Sequence, residues 1–388
     1  MGKKFIQMGA VASISKSQDI YENWVKTGKN TGNLFIGYAV KTELNIEDTI
    51  MFHKVLDEHE VEYIKENYDA LVIAASNFIN PYSDFGVMAD NLNRLKMPVI
   101  TLGIGAQAES TNTSEITLKE GTKNFVYALS EYGNIIGVRG EFTAELLKRM
   151  GVKNCEVIGC PSYYINKNPK FKVNEKCYKS PDDIRVSYNF TNLYKEVDRK
   201  LMLTAYYTQS DIIGQTEYIE DYWKNNKNYM RHQLEDAQET VKLDWHRKKI
   251  MYQSLVDDFS KFKEYIYSHF YMFYDIPEWI AHIKKYDYVC GTRFHGCMLA
   301  IQNMIPALLI THDSRTSELA DYCNIPCISS EQFLRYSSFE EILDAGLINY
   351  DKFNREYEAK FYNYISFLRK NGVDNVNELF ALPKDHDH

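Results

Sequence analysis

At 388 residues the chain exceeds what one ordinary core organises, so two domains or a two-lobed fold is expected. A composition 45% hydrophobic and 25% charged is that of a globular protein and excludes disorder over most of the length. The net charge of -8 excludes the basic surface of a nucleic-acid binder, although a local arginine cluster can still receive an anion inside an acidic protein.

The opening MGKKFIQMGAVASIS carries a basic pair and a broken apolar stretch with no cleavage site after it, and no segment approaches the ~20 apolar residues of a membrane span. A cytoplasmic chain is expected. Residues 70–75 (ALVIAA) and 98–102 (PVITL) read as buried strands, with a helix over 84–96 between them. Residues 134–138 give a third strand, 141–150 a helix closed by Gly151, and 157–159 a fourth strand before Pro161. Continuous apolar strands separated by helices mean a parallel sheet covered on both faces. That defines a Rossmann-like lobe over 1–165.

A second alternation starts at 184–187 and passes through a polar, helical, tyrosine-rich stretch at 194–270. It resumes with a strand at 288–290, a helix at 294–303, a strand at 306–310, a helix at 314–323 and a short strand at 326–328. This is a second Rossmann-like lobe over 184–345, joined to the first near 162–184. Residues 346–388 add an amphipathic helix at 351–370 and a frayed tail, KDHDH. The fold class is therefore α/β, two Rossmann-like lobes facing across a cleft, with a helical insertion in the second half. Ligands in such sheets sit beyond the carboxyl ends of the strands.

Seven cysteines (Cys155, Cys160, Cys177, Cys290, Cys297, Cys323 and Cys327) form no CxxC pair, so reduced thiols are expected rather than a zinc site or a disulfide framework. No metal site is expected. Of the 30 tyrosines, many fall between Tyr188 and Tyr288, where rings could stack on sugars or simply pack.

The strongest site signal is Gly291, Thr292, Arg293, Phe294, His295 and Gly296, between a strand and a helix. Such a turn offers backbone N–H groups and the positive end of a helix dipole to an anion. Arg293 adds a planar cationic fork suited to phosphate or carboxylate, and His295 the side chain that titrates nearest neutral pH. A similar strand-to-helix turn runs from Gly137 to Glu141, with Arg139 as its cation. Glycines at Gly32, beside Asn33, and at Gly103 and Gly105, ahead of Gln107, could let backbone approach a ligand. The second of these is not the full dinucleotide pattern. His312, Asp313 and Arg315 follow the strand at 306–310 and could bind an acceptor sugar or cap the next helix.

Together these segments resemble polysaccharide pyruvyl transferases. GVRGEFTAELLKRMGV with CEVIGCPS is similar to the family's central motif, and EWIAHIKKYDYVCGTRFHGCMLAIQNMIPALLITHDSRTSELA to its C-terminal one. GNLFIGYA and LGIGAQ fit more loosely, and 185–275 matches nothing in detail. The resemblance implies a GT-B-like fold and phosphoenolpyruvate as donor substrate, with no further cofactor. The enolpyruvyl group would pass as a ketal to a sugar of a bacterial surface polysaccharide or its precursor. An undecaprenyl-diphosphate-linked oligosaccharide would be one such acceptor, bringing the chain to the inner face of the cytoplasmic membrane as a peripheral contact. The family's Arg-X-His motif falls on Arg293, Phe294 and His295, and its earlier arginine on Arg139. Gly140 stands where an aspartate is usual, and no acidic residue follows the first glycine stretch at 35–38. The implied roles are His295 as proton carrier, with Arg293 and Arg139 gripping the donor from both lobes. Two rivals remain: a nucleotide-sugar glycosyltransferase or epimerase on the same scaffold, for which Glu318 is the one nearby ribose-binding acid, and a non-catalytic carbohydrate-binding protein.

Overall fold

Two six-stranded sheets, parallel in every pairing, organise the chain. The computed structural model describes residues 3–50, 54–108, 113–174, 184–225 and 238–382. The first sheet contains β1 (Phe5–Gly9), β2 (Thr49–Ile50), β3 (Ala70–Ala74), β4 (Val99–Ile104), β5 (Ile136–Val138) and β6 (Cys155–Val157), in the order β2-β1-β3-β4-β5-β6. The second contains β7 (Val186–Asn189), β8 (Asp211–Gly214), β9 (Phe270–Met272), β10 (Tyr288–Gly291), β11 (Ala307–Thr311) and β12 (Cys327–Ser329), in the order β12-β11-β10-β7-β8-β9. Both are Rossmann-like, and the two lobes face each other in the GT-B manner. The chain reverses its direction of growth between β1 and β3 in one sheet and between β7 and β10 in the other. A crevice opens at each such point.

The apolar runs form strands because helices cover both faces. All five residues of β3 are buried, as are all six of β4. The helices Gly86–Leu95, Ser314–Cys323 and Asp351–Lys370 lie where the periodicity puts them. Three features differ from the expectation. β1 is a fully buried strand, although Gln7 interrupts its pattern; Gln7 Nε2 donates to the Ala10 carbonyl at 2.6 Å, while its Oε1 is buried without a partner among the described residues. The stretch 194–270 holds four described helices, but β8 also runs through it and β9 closes it, so it supplies two of the six strands of the second sheet. β6 ends at Val157 rather than starting there. Gly159 turns the chain with φ +75, and a Cβ on it would lie 2.3 Å from the Tyr322 ring. The tail KDHDH lies outside the described residues, as does Cys177.

The helix Asp351–Lys370 follows the second sheet in sequence yet packs back on the first lobe. Tyr364 stacks on Tyr164 with centroids 4.3 Å apart, Tyr357 lies 4.9 Å from Tyr163, and Asn371 accepts from the Ile135 amide at 3.1 Å. One buried apolar cluster therefore runs continuously from the helix Gly32–Leu44 through Tyr163 and Tyr164 into the second sheet. The shared core holds the lobes in register around the cleft. Among the described residues no helix is long and apolar enough to cross a membrane.

Candidate active site

The turn after β10 is built by close backbone approach. Gly291 passes so near β7 that a Cβ would sit 2.1 Å from the Asn189 carbonyl oxygen, and one on Gly296 would meet the Asn189 and Gln215 amides at 2.9 Å. Thr292 donates its hydroxyl to Asp198 at 2.8 Å, and the Arg293 amide donates to Asn189 Oδ1 at 2.7 Å. The Arg293 guanidinium turns toward β7 and β8. Its Nε donates to the Phe190 carbonyl at 2.8 Å, and Nη2 to the Thr191 carbonyl, the Thr216 hydroxyl and, at 2.8 Å, the Glu217 carboxylate. Burial alone would raise the Glu217 carboxyl, but Arg293 and Lys248 beside it outweigh that and hold it below the ordinary range. The charge of Arg293 is thus met inside its own lobe.

His295, one residue into the next helix, is buried, with Nε2 3.6 Å from Cys160 Sγ and the Phe294 ring edge-on at 5.3 Å. Burial first, then the charges of Arg139 and Arg315, hold its imidazole well below the usual histidine range. The resting side chain is neutral. Burial likewise pushes the Cys160 thiol up, and the Ser162 hydroxyl donates to its sulfur at 3.1 Å.

Arg139 starts at the carboxyl end of β5 and runs across the ends of β4 and β3. Its Nε donates to the Gly103 carbonyl at 2.8 Å, Nη1 to Asn77 Oδ1 at 2.5 Å, and Nη2 to the Ala75 carbonyl at 3.2 Å. The residue is 1% exposed, and among the described residues no carboxylate forms an ion pair with it. A buried guanidinium hydrogen-bonded only to neutral acceptors has no ion pair to offset its burial, and the Glu318 carboxylate compensates it only through space. Gly105 makes room for it, since a Cβ there would lie 2.7 Å from Arg139 Cδ. Gln107 accepts from Asn77 at 3.2 Å, holding the amide that in turn holds Arg139. Gly103, Gly105 and Gln107, expected to approach a ligand directly, therefore serve as the seat of Arg139.

On the facing lobe Asp313 caps the helix Ser314–Cys323, accepting from the Thr316 amide and hydroxyl at 2.8 Å each. Its second oxygen lies 3.4 Å from Arg315 Nη2 and 3.6 Å from His312 Nε2. Arg315 Nε and His312 Nδ1 are buried and have no hydrogen-bond partner among the described residues. Burial outweighs Asp313 and lowers the His312 imidazole. Glu318 reaches across the cleft to the N-terminus of the helix Glu141–Arg149, accepting from the Thr143 amide at 2.7 Å and its hydroxyl at 3.0 Å. The anion seat expected at that helix start is filled by Glu318, which is therefore engaged in joining the lobes. Gly140 permits this: a Cβ there would stand 2.3 Å from Glu318 Cγ. Gly32 is similarly pressed against Gln215 of the other lobe, and Asn33 donates to the Thr27 carbonyl at 3.3 Å.

The structure thus gathers Arg139, Arg315 and His295 within electrostatic reach of one another, with Cys160 against the imidazole. Arg293 is tied instead to Glu217. Asn77 and Cys160 were not singled out from the sequence; the only signal for Asn77 is its place just past the β3 run. Three cavities lie in this part of the molecule. One of about 840 Å³ lies between the lobes and is lined by Gly140, Phe142, His312, Asp313 and Glu318. One of about 430 Å³ touches Ala10, Asn33, Ser76 and Asn77. One of about 380 Å³ lies off β7 and β8. Among the described residues no group of three or more His, Cys, Asp or Glu side chains is placed to hold a metal ion.

The polysaccharide pyruvyl transferase family matches residues 30–314. The chain belongs to that family. No curated protein matches its sequence. Among solved structures it is similar to UDP-GlcNAc 2-epimerase of Methanocaldococcus jannaschii, in complex with UDP-GlcNAc and UDP (12% identity, 86% of this chain and 90% of that one, TM-score 0.42). It is also similar to UDP-GlcNAc 2-epimerase of Neisseria meningitidis bound to UDP-GlcNAc (9%, 97% and 98%, TM-score 0.44). A third similar structure is Anabaena HepE in complex with UDP and glucose (10%, 98% of each, TM-score 0.42).

Proposed function

We propose that the chain transfers the enolpyruvyl group of phosphoenolpyruvate to a sugar of a bacterial surface polysaccharide or its lipid-linked precursor, as a ketal, with release of phosphate. The observation that carries this reading is Arg139, a buried cation without a carboxylate partner, beside a buried neutral imidazole. Arg315, with an unpartnered buried Nε, supplies a second cation from the opposite lobe. A donor with a phosphate and a carboxylate on one carbon complements two such forks.

The methylene carbon of the donor takes a proton and becomes the methyl group. A sugar hydroxyl oxygen bonds to the adjacent carbon and gives up its proton. The carbon–oxygen bond to phosphate breaks, phosphate leaves, and a second hydroxyl closes the ketal with loss of its own proton. His295 carries these protons. In the empty site burial first, and the two arginines after it, keep it deprotonated; an anion seated between the arginines offsets their part and shifts the imidazole toward taking up a proton. Donor binding therefore readies the acid. Arg293 acts at one remove, by fixing the turn on which His295 stands.

The arginines supply the positive charge, so turnover needs no metal and should survive a chelator. The reaction would proceed in the cytoplasm, with at most peripheral contact with the membrane. A phosphate-release screen with phosphoenolpyruvate against lipid-linked, nucleotide-linked and free sugars tests the reading. Acceptor-dependent release, with pyruvylated product seen by mass spectrometry, is expected. Release of a nucleotide from a nucleotide sugar, with none of phosphate from phosphoenolpyruvate, would overturn it.

A further inference from the structure

The cavity of about 380 Å³ off the carboxyl ends of β7 and β8 is closed by both lobes. The helix Ile20–Lys26 brings Trp24 from the first lobe, and the helix Tyr218–Asn225 brings Tyr218 and Glu220 from the second. The two rings stack, with centroids 4.4 Å apart at 27°. Tyr222 donates to Asp19 across the same joint at 2.7 Å. The helix Glu239–Leu255 supplies Asp244, Arg247, Lys248 and Met251 to the wall, and Tyr194 stands at the rim, 71% exposed.

The polar groups of this wall are organised but incompletely satisfied. Glu220 is fully buried, and one carboxylate oxygen receives Lys248 at 2.9 Å and the Tyr252 hydroxyl at 2.5 Å. Its other oxygen, Oε2, has no partner among the described residues. The Trp24 indole N–H is buried and also without an acceptor there. Tyr218 donates to Asp244 at 2.6 Å. Trp24 and Glu220 both line the cavity, and an unmet donor and an unmet acceptor around it suit sugar hydroxyls, groups that give and take hydrogen bonds at once. Aromatic rings beside them suit the apolar face of a sugar ring. Glu217, Glu220 and Asp244 are paired with Arg293, Lys248 and Arg247, so the wall that admits a sugar leaves no unpaired cation to hold a doubly anionic donor. The volume falls within the ~300–1,000 Å³ of small-molecule sites. Glu217 joins the cavity directly to Arg293, and Arg293 begins the helix that carries His295.

We infer that this cavity is the acceptor subsite, binding a neutral glycosyl residue through Trp24, Glu220 and Lys248 while the donor sits beyond Arg293 on the Arg139 side. The assignment rests on the pyruvyl-transfer reading for its name as acceptor site, but not for its affinity for sugar. The test is calorimetric titration of the full chain with methyl glycosides of galactose, mannose, glucose and N-acetylglucosamine. At least one should bind saturably and leave phosphoenolpyruvate affinity unchanged. Met251→Trp, which fills the cavity without touching the charge network, and Glu220→Gln should each weaken that glycoside at least tenfold, again with donor affinity intact. In the phosphate-release assay the same variants should raise the acceptor KM at least tenfold at constant donor KM. Absence of binding by every glycoside, competition between glycoside and phosphoenolpyruvate, or undiminished binding to Met251→Trp would overturn the inference. Glycoside binding blocked by Met251→Trp without any phosphate release would keep the cavity and discard pyruvyl transfer. Phosphate release with an unchanged acceptor KM in Met251→Trp would do the reverse.

Discussion

Replacing Arg139 with methionine removes a buried charge and three hydrogen bonds while nearly preserving volume. The bonds to Gly103, Asn77 and Ala75 each contribute about 1 kcal/mol net, and each acceptor left bare costs about 1–3 kcal/mol. Against this stands the penalty of keeping a guanidinium buried with no anionic partner, several kcal/mol per ion. The second offsets only part of the first, so thermal unfolding of the empty protein should show a loss of a few kcal/mol. Donor binding has no such compensation. A charge-assisted hydrogen bond is worth about 1.5–3 kcal/mol, so phosphoenolpyruvate affinity should fall about ten- to a hundredfold. Donor at a hundred times its Kd stabilises the wild type by about 2.7 kcal/mol, an effect that should fall to about 0.4–1.4 kcal/mol in the variant at the same concentration. Calorimetry and thermal shift, with and without donor, read both quantities. An Arg139→Met protein that is severely destabilised when empty yet binds phosphoenolpyruvate like the wild type would refute the reasoning, for Arg139 would then be scaffold alone.

His295→Ala should leave donor affinity nearly intact and lower kcat by about two to four powers of ten. Because burial, Arg139 and Arg315 hold the free imidazole low, kcat/KM should show no His295 ionisation in the usual range, whereas the limb in kcat should lie at higher pH once donor fills the site. Burial pushes the Glu43 carboxyl up to about 8, against the hydrogen bond from Tyr364 at 2.7 Å. The folded chain thus keeps a proton that the unfolded chain gives up above its ordinary value of 4.5, so this group's contribution to stability should fall as pH rises from there toward 8. A plot of Tm against pH for Glu43→Gln should lack that slope; an identical slope would remove Glu43 as its source. Gly140→Ala places a Cβ 2.3 Å from Glu318 Cγ, which must withdraw from Thr143, so Tm should fall and Glu318→Ala should add little further loss. Additive losses in the double variant would contradict that coupling.

The elements read well from the sequence are those whose signal is local. The runs at β3 and β4 are uninterrupted because both sheet faces are covered, and the helix Ser314–Cys323 begins where Asp313 offers a cap. β1 escaped because Gln7 breaks the apolar pattern, and the acceptor its Nε2 finds is set by a turn three residues on. β8 escaped because four residues inside a polar, helix-rich stretch carry little periodicity. The site shows the same division. A turn holding Arg293 and His295 is visible as a motif, and the structure puts His295 at the centre. The fate of Arg293 depends on Glu217, 76 residues earlier in the chain, and no spacing rule pairs them. Gly103 and Gly105 were legible as places of close approach, but what approaches Gly105 is the Arg139 side chain, and Gly103 lies against Pro161 while its carbonyl accepts from Arg139. Arg315 stood in the sequence as an acceptor or capping residue; only folding brings its charge beside the imidazole.

A crystal structure of the complex with phosphoenolpyruvate would test the anion grip most directly. The account requires the phosphate and carboxylate to lie between Arg139 and Arg315, with the methylene carbon facing the His295 imidazole and the Arg293–Glu217 pair undisturbed. Donor bound to Arg293 with that pair broken, or lodged away from Arg139 while its three protein hydrogen bonds stay as they are, would contradict it.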